Sequence, residues 1–264
     1  MDEAVPVKEV LFDLEGTLFF RGERIVGACE ALESISALGY QRRFLTNSDS
    51  KTATMICSQL ISIGLDIDPA EVFTPLNAVT TFLQQQKHNR CHLLMPRALS
   101  TELAPFVAID EAVNFVVLGD VRESSSYKHL NQAFRYLRAG ARLIALQKGR
   151  FFVGAEGECL DTGAFVQLLE YASGQEAIVM GKPYPYLFEA ALTSLGVTAS
   201  EALVVGDDPS TDLIGAQAIG ARCVLVRTGK FTEADLARVN VQPTSLIDSV
   251  AELPDLLSAW GGSY

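Results

Sequence analysis

The chain has no basic excess, no paired cysteines and no uninterrupted apolar run of membrane-spanning length, and each absence removes a class of function. Its 21 Lys and Arg stand against 32 Asp and Glu, a net charge of -11. Sequence-independent nucleic-acid binding needs a basic face and is not expected. An anionic substrate would have to be held by local positive charge. The five cysteines, Cys29, Cys57, Cys91, Cys159 and Cys223, are odd in number and scattered, with no Cys-x-x-Cys pair. They read as reduced thiols of a cytoplasmic protein. The start, Met1-Asp2-Glu3-Ala4, lacks the basic residues and apolar stretch of a signal peptide. His88, His92 and His129 show no metal-ligand spacing and are expected to be surface or partly packed imidazoles.

What remains is enough apolar material for a large core: 264 residues, 48% hydrophobic. Short apolar runs alternate with amphipathic segments, the βαβ rhythm of a parallel sheet. The first block predicts strand 8–13, helix 27–38, strand 42–46 and helix 51–63. The rhythm restarts at Pro75 with helix 76–87, strand 91–95, a short helix near 97–104, strand 114–118, helix 126–138, strand 142–147, a Gly-rich hairpin over 149–160 and helix 162–172. A third block predicts strand 176–180, helix 184–195, strand 201–206, helix 211–219, strand 222–226 and a terminal helix 248–260.

Val10-Leu11-Phe12-Asp13-Leu14-Glu15-Gly16-Thr17-Leu18 is the most informative stretch. An apolar strand ends abruptly in carboxylates spaced i, i+2, and the pleat would aim Asp13 and Glu15 at one crevice, where open α/β sheets bind ligands. Such a pair suits covalent catalysis, one group attacking and the other moving protons.

Gly206-Asp207-Asp208-Pro209-Ser210-Thr211-Asp212 gathers three more carboxylates at another strand end. Oxygen ligands without nearby His or Cys favour Mg²⁺. The plainer reading has Thr211 or Ser210 capping the following helix and Asp212 adding first-turn charge. Thr46-Asn47-Ser48 puts hydroxyl and amide donors after the second strand that could hold phosphate oxygens, but taken alone the motif reads first as an ordinary strand-to-helix turn in which Thr46 or Ser48 caps helix 51–63. Gly181-Lys182-Pro183 places a lysine at a third strand end, where it could neutralise a carboxylate and a phosphate together. Asp161 is expected to cap helix 162–172, with a specificity role as the alternative, and Tyr184 and Tyr186 are expected to pack on the core.

These motifs, in the order Asp13, Thr46, Lys182, Asp207, resemble those of the haloacid dehalogenase (HAD) superfamily, whose phosphatases carry Asp-x-Asp-Gly-Thr first; here Glu15 replaces the second Asp. Asp13 and Thr46 are only 33 residues apart, which leaves no room for a sizeable cap, so any cap must come later, as in the C2-capped, NagD-like subfamily IIA. Gly149-Arg150-Phe151-Phe152, Leu169-Glu170-Tyr171-Ala172 and Val226-Arg227-Thr228-Gly229-Lys230 are similar to one narrower phosphatase branch.

The resemblance implies a Rossmann-like, doubly wound parallel sheet core (1–74 and 181–264) with an inserted α/β C2 cap (75–180) that closes over the site. It implies an Mg²⁺-dependent phosphatase of small-molecule phosphate esters. Asp13 would be the nucleophile and Glu15 the acid/base, Thr46, Asn47 and Lys182 would bind phosphate, and Asp13, Glu15 and Asp207 would hold metal, supported by Asp208 and Asp212. Related caps often dimerise, which leaves room for a homodimer, and no membrane or nucleic-acid partner is implied. The rival is a catalytically weak phosphate-binding or regulatory protein, since a carboxyl displaced by about one C–C bond, ~1.5 Å, can cost roughly a hundredfold in rate. Halide displacement would leave the acidic cluster unexplained.

Overall fold

Period-2 alternation sorts the apolar residues of the main sheet onto its two faces. Val10 and Phe12 of the strand Glu9–Asp13 pack in one cluster with Phe44, Leu203, Val205, Val224 and Val226. Leu11 packs in a second with Leu45, Ala202, Val204, Cys223 and Leu225. Because both faces are covered, Ala202–Gly206 and Arg222–Val226 read as nearly continuous apolar runs, as do the middle residues of Glu9–Asp13, which is why they were legible as buried parallel strands. The computed structural model describes residues 5–109, 112–122, 125–154 and 157–261; the first four residues and the tip of the 149–160 stretch, both read above from sequence, lie outside it.

The chain divides into two compact units, one of Met1–Thr46, Ala53–Phe73 and Lys182–Tyr264, the other of Asn47–Thr52 and Thr74–Gly181. The short segment 47–52 thus groups with the insert. In the first unit six strands lie in the order Ser245–Ile247, Arg222–Val226, Ala202–Gly206, Glu9–Asp13, Gln41–Leu45, Val72–Phe73. Every pairing is parallel. Helices Ala28–Ala37, Ala53–Ser62, Pro185–Leu195, Ile214–Ile219 and Leu253–Gly261 belong to this unit.

The second unit has its own parallel sheet, ordered Ile178–Val179, Arg142–Ala145, Phe115–Leu118, Cys91–Leu94. Val116, Leu118, Leu143 and Ala145 pack there against Ala133 and Leu137 of helix Tyr127–Arg138 and against Val166 and Leu169 of helix Thr162–Ser173. An antiparallel ribbon pairs Phe151–Gly154 with Gly157–Leu160. Among the described residues no helix is long and apolar enough to cross a membrane.

The elements that sequence periodicity missed are short: the two edge strands of the main sheet, Val72–Phe73 and Ser245–Ile247, the ribbon of Phe19–Phe20 with Glu23–Arg24, and helix Glu233–Arg238. Strands of two or three residues and a helix of six carry too little period to be read. Helix 211–219 is also different. Pro209–Leu213 forms a wide, π-type turn before the regular helix Ile214–Ile219 begins. Such turns often mark functional sites.

Candidate active site

Strand Glu9–Asp13 is where the order of the main sheet reverses. The chain lays Gln41–Leu45 and Val72–Phe73 on one side of it and returns to lay Ala202–Gly206 on the other. Chain crossings that leave a strand pair in opposite directions open a crevice beyond its carboxyl ends. Asp13 ends one of these two strands and Asp207 directly follows the other.

Lys182 is buried between Asp13 and Asp212. Its Nζ donates to Asp13 Oδ1 at 2.5 Å and to Asp212 Oδ1 at 2.7 Å, while the residue is only 6% exposed. Burial would drive its pKa down, but the charges of Asp13 and Asp212 outweigh burial and raise it. It is an ammonium. Two strand-end loops are brought to the same place by helix packing: helix Ile214–Ile219 lies on Pro185–Leu195 at Gly215, where any Cβ would strike the Phe188 ring.

The ligand oxygens of Asp13, Asp207 and Asp212 all lie within 4.8 Å of one another. Burial first, and then the Asp13 charge, pushes the Asp207 carboxyl up, against a hydrogen bond from Lys230 N at 2.6 Å. Asp212, only 1% exposed, is also pushed up by burial, with Lys182 opposing. Three carboxylates against one ammonium leave an excess of negative charge in a poorly solvated place, and a hard divalent cation is the group that relieves it.

Glycines make room for this cluster. Gly16 (φ 104°) and Gly229 (φ 67°) occupy left-handed conformations, and a Cβ on either would collide with the Asp207 carboxylate. A Cβ on Gly206 would collide with that of Asp212. Thr228 Oγ1 donates to the Gly16 carbonyl at 2.5 Å, tying the two loops together. Thr17, fully buried, places its Oγ1 3.5 Å from Asp13 Oδ2.

Not every sequence candidate joins the cluster. Asp208 Oδ1 accepts from Ser210 N at 2.8 Å and Ser210 Oγ at 2.6 Å, so Asp208 caps the wide turn, the part expected of Thr211 or Ser210. Its backbone N donates to Asp212 Oδ2 at 3.1 Å. Glu15 is exposed, unlike Asp13; the strand stops at Asp13, so the alternation expected to align the two carboxylates stops there too. Thr46 is fixed by its N–H donating to the Phe73 carbonyl at 3.1 Å in the first unit, whereas Asn47 and Ser48 belong to the second.

Among the secondary candidates, Asp161 caps helix Thr162–Ser173. His92 packs tilted against Tyr136, with centroids 4.9 Å apart and the ring planes at 48°. Tyr184 is 41% exposed and does not pack as expected, because it occupies the N-cap of its helix. Thr17, Thr228 and Lys230 were not singled out as site residues. Their signals were present: Gly-Thr after the first strand, and Thr-Gly-Lys directly after Arg222–Val226.

The fold and site together define an α/β protein with a carboxylate–lysine cluster at the switch point of a parallel sheet. Residues 10–106 match the haloacid dehalogenase-like hydrolase family, and 179–253 match a HAD hydrolase-like family. The chain is 38% identical, over 95% of its length and 94% of the relative's, to phospholysine phosphohistidine inorganic pyrophosphate phosphatase of Bos taurus. It is 37% identical, over 94% of its length and 95% of the relative's, to haloacid dehalogenase-like hydrolase domain-containing protein 2 of the same species. NagD from E. coli K-12 superposes with a TM-score of 0.86 at 28% identity, covering 94% of this chain and 98% of that one. The chain belongs to the haloacid dehalogenase-like hydrolase family, among its NagD-like phosphatases.

Proposed function

We propose that the chain is an Mg²⁺-dependent phosphatase of small phosphomonoesters that works through an aspartyl-phosphate on Asp13. The observation that carries this reading is the buried constellation of Asp13, Lys182, Asp207 and Asp212 at the switch point. Its donor set suits Mg²⁺, with Asp13, Asp207 and the Glu15 backbone carbonyl as ligands. Asp212 is the better placed of the two supporting carboxylates, since it shares the cluster and Asp208 is committed to its cap. When bound, Mg²⁺ would neutralise phosphoryl charge and orient the ester.

Asp13 attacks phosphorus as the bond to the leaving oxygen breaks, and Glu15 gives that oxygen a proton. Water then attacks the aspartyl-phosphate, Glu15 takes the proton back, and phosphate departs with Asp13 restored. Thr46, the Asn47 amide and the Lys182 ammonium hold the phosphoryl oxygens, since phosphoryl transfer relies mainly on positioning and charge neutralisation. We place the protein in the cytoplasm, consistent with five free thiols among the described residues.

The test is hydrolysis of p-nitrophenyl phosphate and a panel of phosphorylated metabolites with Mg²⁺ and with EDTA, together with mass spectrometry of acid-quenched protein. Chelator-sensitive turnover and an adduct on Asp13 are expected. Turnover untouched by EDTA would remove the metal from the reading, and full activity in Asp13→Asn would remove the covalent step.

A further inference from the structure

Asp49 is a carboxylate in an irregular segment, yet it is only 5% exposed. Its Oδ2 accepts from Thr162 Oγ1 at 2.5 Å and from Gln147 Nε2 at 3.3 Å. Both donors are themselves fixed. Thr162 opens helix Thr162–Ser173, its N–H donating to Asp161 Oδ1 at 2.8 Å, and Gln147 Nε2 donates to the same oxygen at 2.8 Å. Gln147 Oε1 accepts from Gly149 N. The backbone is held as well, the Asp120 N–H reaching the Asp49 carbonyl at 3.5 Å.

Gln147 and Asp120 each lie two residues beyond adjacent parallel strands of the second unit, Arg142–Ala145 and Phe115–Leu118. The carboxyl end of such a sheet is where an α/β unit takes a ligand. Here the chain's own segment 47–52 lies against it. Burial and the neighbouring Asp161 and Asp120 charges work against an ionised Asp49, pushing its carboxyl up to about 6, while the Thr162 and Gln147 bonds pull it back. A carboxylate is costly for a turn that needed only packing.

Two residues before Asp49 stands Asn47, whose side-chain oxygen lies so close to Gly181 that a Cβ there would strike it. Thr46, one residue earlier, is fixed by the first unit through Phe73. We infer that Asp49 is a positioning residue: gripped by Thr162 and Gln147, it sets the placement of Asn47 and Ser48 from the second unit, and with it the affinity for the phosphoryl group. The inference rests on Thr46 and Asn47 being phosphate ligands, as proposed above.

The test compares Thr162→Val, which removes the hydroxyl donor at nearly constant shape, with Thr162→Ser, which keeps it, and Asp49→Ala with Asp49→Asn, which keeps the acceptor. KM for p-nitrophenyl phosphate, Ki for inorganic phosphate, kcat and Tm are read on the full chain. Thr162→Val and Asp49→Ala should raise KM and Ki together by about tenfold, with a smaller fall in kcat, because ångström-scale misplacement of a binding group is costly. Thr162→Ser and Asp49→Asn should stay within about twofold of the parent, since each keeps its hydrogen-bonding partner.

A lowered Tm with KM and Ki at parent values would make Asp49 purely structural and overturn the inference, as would a Thr162→Ser enzyme as impaired as Thr162→Val. If Asp49→Ala fails to fold, the Thr162 pair decides. If the parent does not turn over, calorimetric binding of inorganic phosphate decides instead: equal affinity in parent, Thr162→Val and Thr162→Ser overturns the inference, while the missing turnover counts separately against the proposed reaction. A parent that does not bind phosphate overturns both.

Discussion

Asp13 and Lys182 stand 169 residues apart in the chain and meet at 2.5 Å, with the lysine shared between Asp13 and Asp212. An ammonium so enclosed is worth more to its partners than a surface ion pair, because each carboxylate would otherwise be buried beside like charge.

Lys182→Met should therefore cost stability as well as activity. Removing one partner of a buried pair destabilises by about 3–5 kcal/mol, and here two carboxylates lose their counter-ion. Chemical denaturation measures it. A variant as stable as the parent would show that water or a bound cation takes over the lysine's part.

Asp13→Asn should keep the fold and lose turnover by roughly a thousandfold or more, the scale seen when a nucleophile is removed. The amide cannot form the acyl-phosphate, and Asp13 sits at a strand end, outside the apolar clusters. Steady-state kinetics with circular dichroism separates loss of chemistry from loss of structure.

Gly16→Ala and Gly229→Ala should each lower stability by about 1–3 kcal/mol through left-handed backbone strain alone. Each should also raise the Mg²⁺ concentration needed for activity, because the added methyl would displace the Asp207 carboxylate. Gly140→Ala, left-handed but with open space around it, controls for strain without collision. Equal Mg²⁺ requirements in all three variants would refute the collision argument.

Glu9 should make stability fall as pH rises toward neutrality. Both its carboxylate oxygens are buried without a hydrogen-bond partner, and burial pushes its carboxyl from 4.5 up to about 7, with Arg43 opposing. The folded state thus holds the proton more tightly than the unfolded state. Its contribution is full below about pH 4.5, declines as pH rises, and is lost above about pH 7. At 1.36 kcal/mol per pKa unit the loss is about 3 kcal/mol. Glu9→Gln, compared by urea denaturation at pH 5 and pH 8, should gain on the parent as pH rises. A constant difference between the two proteins would mean that Glu9 does not titrate in this window.

Residue 15 separates a working phosphatase from a weakened one. Glu15→Asp should increase turnover of p-nitrophenyl phosphate if the longer side chain holds the acid/base off its best position. Glu15→Gln should slow hydrolysis of the aspartyl-phosphate more than its formation, because this leaving group hardly needs a proton, and phosphorylated enzyme should accumulate. Equal rates in parent and both variants would remove residue 15 from proton transfer.

The legible parts of the sequence were those whose signal is local. Val10–Phe12, Leu203–Val205 and Cys223–Leu225 are buried on both faces, so each reads as a strand without knowledge of its neighbours. That Asp13, Lys182 and Asp207 come together was legible because each sits where an apolar run stops. Asp208 and Asp212 could not be ranked from sequence, since both are carboxylates on one short turn. The choice depends on which way the π-type turn at Pro209–Leu213 carries each side chain. The exposure of Glu15 was not legible for a related reason: period-2 reasoning holds only while the strand lasts, and the strand ends at Asp13. The grip of Thr162 on Asp49 spans 113 residues and leaves no periodic trace.

The partition at Thr46 and Asn47 also bears on how such proteins diversify. A recombination event that exchanged only residues 74–181 would separate Asp49 from the Thr162 and Gln147 it was matched to. One that also carried residues 47–52 would bring part of the proposed phosphate grip along with the new insert. The pairing of Asp49 with Thr162 and Gln147 therefore travels intact only with an exchange that takes 47–52 together with 74–181, although the two stretches are separated in the chain by residues 53–73.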